Sequence, residues 1–185
     1  MITIRQPALA LHSCDIKDSG PLYQMQTTWM MPAGAQPANV VFWISYATDR
    51  SQDLELANVV INCHGSQGKL FVGGARNRPI TIADVGVFTG LKTKDIGTIW
   101  LVSCNVATGT AGQQFCSQLA VTAGCFVVAA DNYQCVEKRY TDRGKNGLFG
   151  TIDDFEGTAW LFSPSGSKSV FSVYEGDWCK PKVSA

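Results

Sequence analysis

Three continuous apolar, β-branched runs dominate what this chain can fold into: Val59–Cys63 (VVINC), Thr98–Ser103 (TIWLVS) and Cys125–Ala130 (CFVVAA). Unbroken runs of this kind suit strands covered on both faces rather than strands with one wet side. Val40–Tyr46 (VVFWISY) has the same character and is predicted to be a further buried strand. Between the second and third runs, Phe115, Cys116, Leu119, Ala120 and Ala123 recur at helical spacing. Thr110 and Gln113 form a capping-box pattern in front of them, and Gly124 is a stop. A second helical pattern opens at Thr81 with Asp84 and closes at Gly90, with Ile82, Val85 and Phe88 on its inner face. Strand–helix–strand alternation over residues 58–130 predicts an α/β fold, a mainly parallel sheet with helices on both faces.

The remaining segments are less regular. Residues 1–38 are weakly patterned and punctuated by Pro7, Pro21, Pro32 and Pro37, with Leu22 to Trp29 as an edge-strand candidate. The polar stretch Thr48–Leu56 suits a short helix, and Lys69–Val72, between Gly68 and Gly73-Gly74, a hairpin strand. Tyr133–Glu156 reads as a long loop, while Thr158–Phe162 and Ser169–Tyr174 flank a Pro-Ser-Gly-Ser turn as a C-terminal β-hairpin. The whole, residues 1–185, fits one domain, since 45% apolar residues suffice for a core at this length.

Composition narrows the partners. Only 16% of residues are charged, with 15 of each sign, which gives no electrostatic reason for nucleic acid or an anionic membrane. No apolar run approaches the roughly 20 residues that span a bilayer. The first residues lack a basic start followed by a long apolar stretch, so synthesis in the cytoplasm is expected, with any export or delivery by a signal-peptide-independent route. Seven cysteines at irregular spacing make a poor disulfide framework, and no C-x-x-C pair starts a zinc site. Mainly reduced thiols, and no metal or cofactor, are the expectation.

Ligand sites of parallel sheets lie at the carboxyl ends of the strands. His64, Cys104 and Asp131 each follow one of the three buried runs. A cysteine nucleophile needs a thiolate, and a nearby imidazole forms one by taking the proton. Gly65 and Cys104 then offer backbone N–H groups as an oxyanion hole, worth about 3–4 kcal/mol per donor. Taken singly, a strand-end histidine is more often structural and a cysteine among seven more often core filler. Their matched placement, each beside a small residue, makes the pair the candidate catalytic centre. Asp131 is read as a strand-end cap, a solvated residue or a contact for a basic substrate side chain. Asp153-Asp154 raise the same question, and Asn105 sits too close to Cys104 in sequence to orient His64 readily.

The segments NVVINCHGSQGKLFVGG and TIWLVSCNVATG resemble the caspase–gingipain–legumain–clostripain clan of cysteine peptidases. The stretch SCNVATGTAGQQFCSQLAVTAGCFVVAAD is particularly similar to a bacterial domain of largely uncharacterised function within that fold, often found in large surface or adhesin-like proteins. Self-cleaving protease domains of large bacterial toxins have a related pattern. The resemblance covers roughly residues 55–165 and implies a three-layer caspase–haemoglobinase-like fold. It also implies His64 as base, Cys104 as nucleophile, and the Gly65 and Cys104 amides for the oxyanion. Some basic-specific relatives carry an acidic residue two positions before the cysteine; here that position is Val102. An acidic preference would need arginines, and Arg76, Arg78, Arg139 and Arg143 lie in candidate loops.

The leading expectation is therefore a cysteine endopeptidase acting through a thioester acyl-enzyme on a protein or peptide substrate. A bacterial effector or toxin role is compatible with it. The alternatives are a non-catalytic caspase-like module for protein binding or processing, and another cysteine acyl-transfer enzyme such as a transpeptidase or amidase. Lys138-Arg139 and Arg143-Gly144-Lys145 are candidate self-cleavage positions.

Overall fold

The three apolar runs become neighbouring strands of one sheet in the computed structural model, which describes residues 1–16, 22–135 and 148–174. In chain order the strands are β1 (Ile2–Thr3), β2 (Ala8–Ser13), β3 (Thr27–Met31), β4 (Glu55–Asn62), β5 (His64–Ser66) and β6 (Lys69–Phe71). They continue with β7 (Asp95–Val102), β8 (Phe126–Ala130), β9 (Thr151–Ile152), β10 (Gly157–Phe162) and β11 (Lys168–Tyr174). Two α-helices, α1 (Pro37–Arg50) and α2 (Gly109–Ala123), and a 3-10 helix (Ile82–Leu91) complete the described elements.

The main sheet runs β3-β2-β4-β7-β8-β10-β11. Its first five strands are parallel, and β10 and β11 add an antiparallel hairpin at the far edge. The sheet is thus mixed and mostly parallel. Burial of β4, β7 and β8 on both faces accounts for their unbroken apolar runs.

One expectation is corrected by the layering. Among the described residues all three helices share one face: Val40 and Ile44 of α1, Phe88 of the 3-10 helix and Phe115 of α2 join a single cluster with Leu9, Ile61, Ile99 and Val127 of the sheet. The opposite face is covered by irregular chain and short strands, with Tyr23, Met25, Ile152 and Phe155 against Ala10, Val60 and Trp100. Helices on both faces are therefore not observed there.

Val40–Tyr46 is also corrected, from strand to helix. Val40, Ile44, Ala47 and Thr48 are buried while Phe42 and Tyr46 are exposed, a one-sided stripe of helical period. Pro37 at the first turn and a reciprocal Gln36–Asn39 capping box start the helix. These flanking signals outweigh the β-branched composition, and α1 then absorbs the start of the polar stretch from Thr48.

The weakly patterned start holds a central strand. β2 (ALALHS) is wholly buried between β3 and β4; Ala8 and Ala10 face the irregular layer, where Tyr23 and Met25 fill the space their short side chains leave. The edge strand falls at Thr27–Met31 rather than Leu22–Trp29. The Thr81–Asp84 capping box is present, but the helix after it is 3-10; Val85, Phe88 and Leu91 are buried three apart, and Ile82 is exposed. α2 starts from Thr108, not Thr110, without a side-chain cap; the Thr108 hydroxyl donates to Asp131 O at 2.6 Å instead. Its inner face and Gly124 stop, with φ 73°, are as the pattern predicts. The C-terminal hairpin is present as β10 and β11. Much of the expected long loop, residues 136–147, lies outside the described residues, as does Cys179.

Candidate active site

Reversal of the chain between β2 and β4 creates the sheet's switch point. From β2 the chain moves outward to β3, then returns to the other side of β2 as β4 and continues through β7 to β8. The carboxyl ends of such strands diverge into loops and leave a crevice. A cavity of about 320 Å³ occupies that place. Its walls come from four successive strand ends: Asp15 and Ile16 after β2, Asn62–His64 at β4, Val102–Cys104 at β7, and Gln134–Cys135 after β8. Tyr23 closes one side.

The pairing register decides what meets what. Asn62 pairs with Val102 at the end of the β4–β7 ladder. One residue on, Cys63 Sγ and Ser103 Oγ are 3.3 Å apart. One further, His64 and Cys104 follow, and both line the cavity. Gly65 locks this juxtaposition, because a Cβ placed on it would lie 2.7 Å from Cys104 O and 2.8 Å from Ser103 Cβ. Only a residue without a side chain lets the two strand ends close to that distance.

Two backbone donors are free of the ladders. Gly65 lies opposite Leu70 in the β5–β6 hairpin, and Leu70 exchanges both of its backbone bonds with Ile80 instead. The Gly65 N–H is therefore left out of the hairpin ladder. The Cys104 N–H likewise has no acceptor among the described residues. Directly after the cysteine the chain turns sharply, with Asn105 at φ 57°, a left-handed conformation uncommon for a non-glycine residue. Asn105 N–H donates to Asn132 O and its carbonyl accepts from Thr108, so the turn is anchored and Asn105 makes no hydrogen bond to His64.

The charged neighbour of His64 is Asp15, 3.8 Å from Nε2. Asp15 is itself held on both oxygens, by Ser13 Oγ at 2.6 Å and the Ala75 N–H at 2.5 Å. Burial pushes its carboxyl up, but these hydrogen bonds and the adjacent His64 together outweigh that and hold it below its ordinary 3.8. Stability contributed by a depressed carboxyl is fully present above the unfolded value and is lost as pH falls through the folded one. Asp15→Asn is therefore expected to destabilise the protein near neutral pH, with the gap from the parent narrowing below about pH 4. Urea midpoints across that range measure it, and a gap independent of pH would show that the Asp15 charge contributes nothing.

Cys104 itself is partly exposed. Its Sγ accepts from the Gln134 N–H at 3.4 Å and faces Gln134 O at 3.7 Å. No hydrogen bond joins it to His64. The Gln134 side chain ties this segment down, donating to Asn132 O and Glu156 O and accepting from the Glu156 N–H. Next to it, Cys135 is disulfide-bonded, while Cys14, Cys63, Cys104, Cys116 and Cys125 are free, so most of the described thiols are reduced. Burial pushes the Cys63 thiol up to about 12, in spite of the Ser103 hydroxyl beside it. Cys63 is thus a protonated wall next to the partly exposed Cys104.

Of the residues read from sequence, His64, Cys104 and Val102 line the cavity, and Gly65 backs it. Asp131 does not line it; its Oδ1 accepts from the Thr158 N–H at 2.8 Å and fastens β8 to β10. Asp153 is buried, and Asp154 pairs with the Met1 amino group. Arg78 is bound to Asp84 at 2.6 Å, Arg76 is outside the wall, and Arg139 and Arg143 fall outside the described residues. Asp15, Asn62 and Gln134 are among the wall residues that sequence reading missed. For Asp15 the usable signal is LALHSCD, a buried strand with an acid two residues past its end. A second cavity, about 360 Å³, lies at the opposite end of the sheet beside Trp29, Tyr46 and Arg50, without a thiol or imidazole.

Residues 35–138, more than half of the chain, match the model of a family described as a domain of unknown function (DUF4347). The chain belongs to the DUF4347 family. No curated protein matches it. The DUF4347 segment takes in His64, Gly65 and Cys104 together with Val102 and Gln134, whereas Asp15 and Tyr23 come from outside it. The cavity is therefore assembled from the DUF4347 segment and the N-terminal strand that pairs with it. Among the described residues no helix is long and apolar enough to cross a membrane, and no group of three or more His, Cys, Asp or Glu side chains could hold a metal.

Proposed function

We propose that this protein is a cysteine endopeptidase of caspase–haemoglobinase-like fold, with Cys104 as nucleophile and His64 as general base. The observation that carries the reading is the placement of His64 and Cys104 on adjacent strand ends, on one cavity, with Gly65 packed against the Cys104 carbonyl. Asp15 stands on the Nε2 side of His64, which leaves Nδ1 to take the thiol proton. The Asp15 carboxylate then favours the imidazolium that forms, by an opposite charge in a partly buried setting. The thiolate adds to a peptide carbonyl, and the Gly65 and Cys104 N–H groups meet the developing oxyanion. His64 returns the proton to the leaving amine, giving a thioester that water hydrolyses.

A non-catalytic binding module is favoured by one observation: the Cys104 sulfur is engaged by the Gln134 backbone and not by His64. Labelling with a peptidyl electrophile separates the two readings. The peptidase is expected to be modified once, at Cys104, faster than at the exposed Cys14, which serves as the internal reference for ordinary thiol reactivity. Folded protein labelled at Cys14 but not at Cys104 would favour the module.

A further inference from the structure

A wall residue without a role in the chemistry, Asn62, carries information about what the cavity holds. Asn62 ends β4 and is 3% exposed, yet it lines the cavity. Its Nδ2 lies 3.1 Å from His12 Nδ1, and His12 Nε2 lies 3.0 Å from Tyr23 O. A carbonyl oxygen only accepts, so Nε2 carries the ring proton. In the neutral ring Nδ1 is then an acceptor and takes the Asn62 amide N–H. This relay sets the direction of the amide and leaves Asn62 Oδ1 with no partner among the described residues. Asn62 Oδ1 thus opens onto the cavity, where it can accept from a donor that enters.

The rest of the wall has the same preference. Asp15 is a carboxylate held in its charged form, Ile16, Tyr23 and Val102 supply apolar surface, and no lysine or arginine lines the cavity among the described residues. An anionic side chain entering here meets an acceptor and a carboxylate. A side chain with an apolar stem and a donor head is matched at both ends. The volume, about 320 Å³, accommodates a long side chain of that kind.

Resting on the cysteine-peptidase reading, we infer that this cavity selects a substrate side chain ending in N–H donors, with Asn62 Oδ1 as the acceptor that reads it. A primary amide and a lysine or arginine head share that chemistry. Asn62 is thereby a specificity residue and not a catalytic one.

The test uses the full chain and peptidyl acyloxymethyl ketones that differ only in the residue beside the reactive group: Gln, Lys, Arg, Glu or Leu. The readout is the rate of Cys104 modification by mass spectrometry. Gln, Lys or Arg reagents are expected to react about tenfold or more faster than Glu and Leu. In Asn62→Leu that ranking levels out. In Asn62→Asp the cationic reagents gain over Gln, a gain that loss of folding cannot produce and that covers the case in which Asn62→Leu does not fold. A Glu or Leu reagent leading in the parent protein, or a folded Asn62→Leu that keeps the parent ranking, overturns the inference while leaving the peptidase standing. No modification of Cys104 by any reagent overturns both.

Discussion

Cys104→Ala protein is expected to lose peptide hydrolysis by about 10⁴-fold or more, because no other group can form the thioester. The neighbouring thiol cannot substitute. Cys63 is fully buried, bonded to Ser103 and protonated well above neutral pH, so it is neither nucleophilic nor accessible. His64→Ala is expected to fall by a similar order, since a thiol without its base is a small fraction thiolate at neutral pH. The two losses should not add, because the pair acts as one unit. Initial rates on a peptide library for the parent, both single variants and the double variant measure this. Equal cleavage by Cys104→Ala and the parent would sink the mechanism. Independent losses that multiply in the double variant would show that His64 acts elsewhere. Both side chains are partly exposed at strand ends and outside the two core clusters, so the activity loss is not a folding defect.

Gly65→Ala is the second large expected effect, and it reports on geometry without touching either reacting side chain. The added Cβ would meet Cys104 O at 2.7 Å and both Ser103 Cβ and Val106 Cγ2 at 2.8 Å. Backbone and strand-end atoms of β7 cannot swing aside as the tip of a lysine would. The β4 and β7 ends must part by some tenths of an ångström, at an overpacking cost of about 1–3 kcal/mol. The catalytic cost is larger, since a displacement of this order in a reacting pair is worth about 10²-fold. Urea unfolding and kcat/KM on the same preparation separate the two. Gly86→Ala is the control, because a Cβ there meets nothing within 4 Å. A Gly65→Ala protein with parent kcat/KM would show that the strand ends need not touch for the chemistry.

Much of the candidate site was legible in the linear chain because the residues proposed for catalysis terminate strong strand signals. VVINCHG and TIWLVSC each announce a buried strand and the residue that follows it, and the structure puts both on one cavity. VVFWISY shows the limit of such reading: a short apolar run suits a strand or a buried helix, and only the Gln36–Asn39 cap and the one-sided burial of Val40 and Ile44 separate them. β2 escaped because alanine carries little apolar signal, although Ala8 and Ala10 are as buried as any leucine. With β2 unread, Asp15 had no strand to belong to, and His12 no position from which to orient Asn62.

By itself, then, the order of residues determined which side chains end the central strands, since VVINC and TIWLVS carry the strongest strand signals and chain polarity puts His64 and Cys104 after their carboxyl ends. Which residues share the cavity was decided in three dimensions. Asp15 reaches His64 across 49 positions of chain because β2 is inserted beside β4. Asp131, adjacent in pattern to the pair, is drawn away by the Thr158 N–H. The layering, with every described helix on one face, was likewise settled by packing, because the shape of the opposite layer depends on Tyr23 and Phe155 finding space over small residues that no local pattern marks.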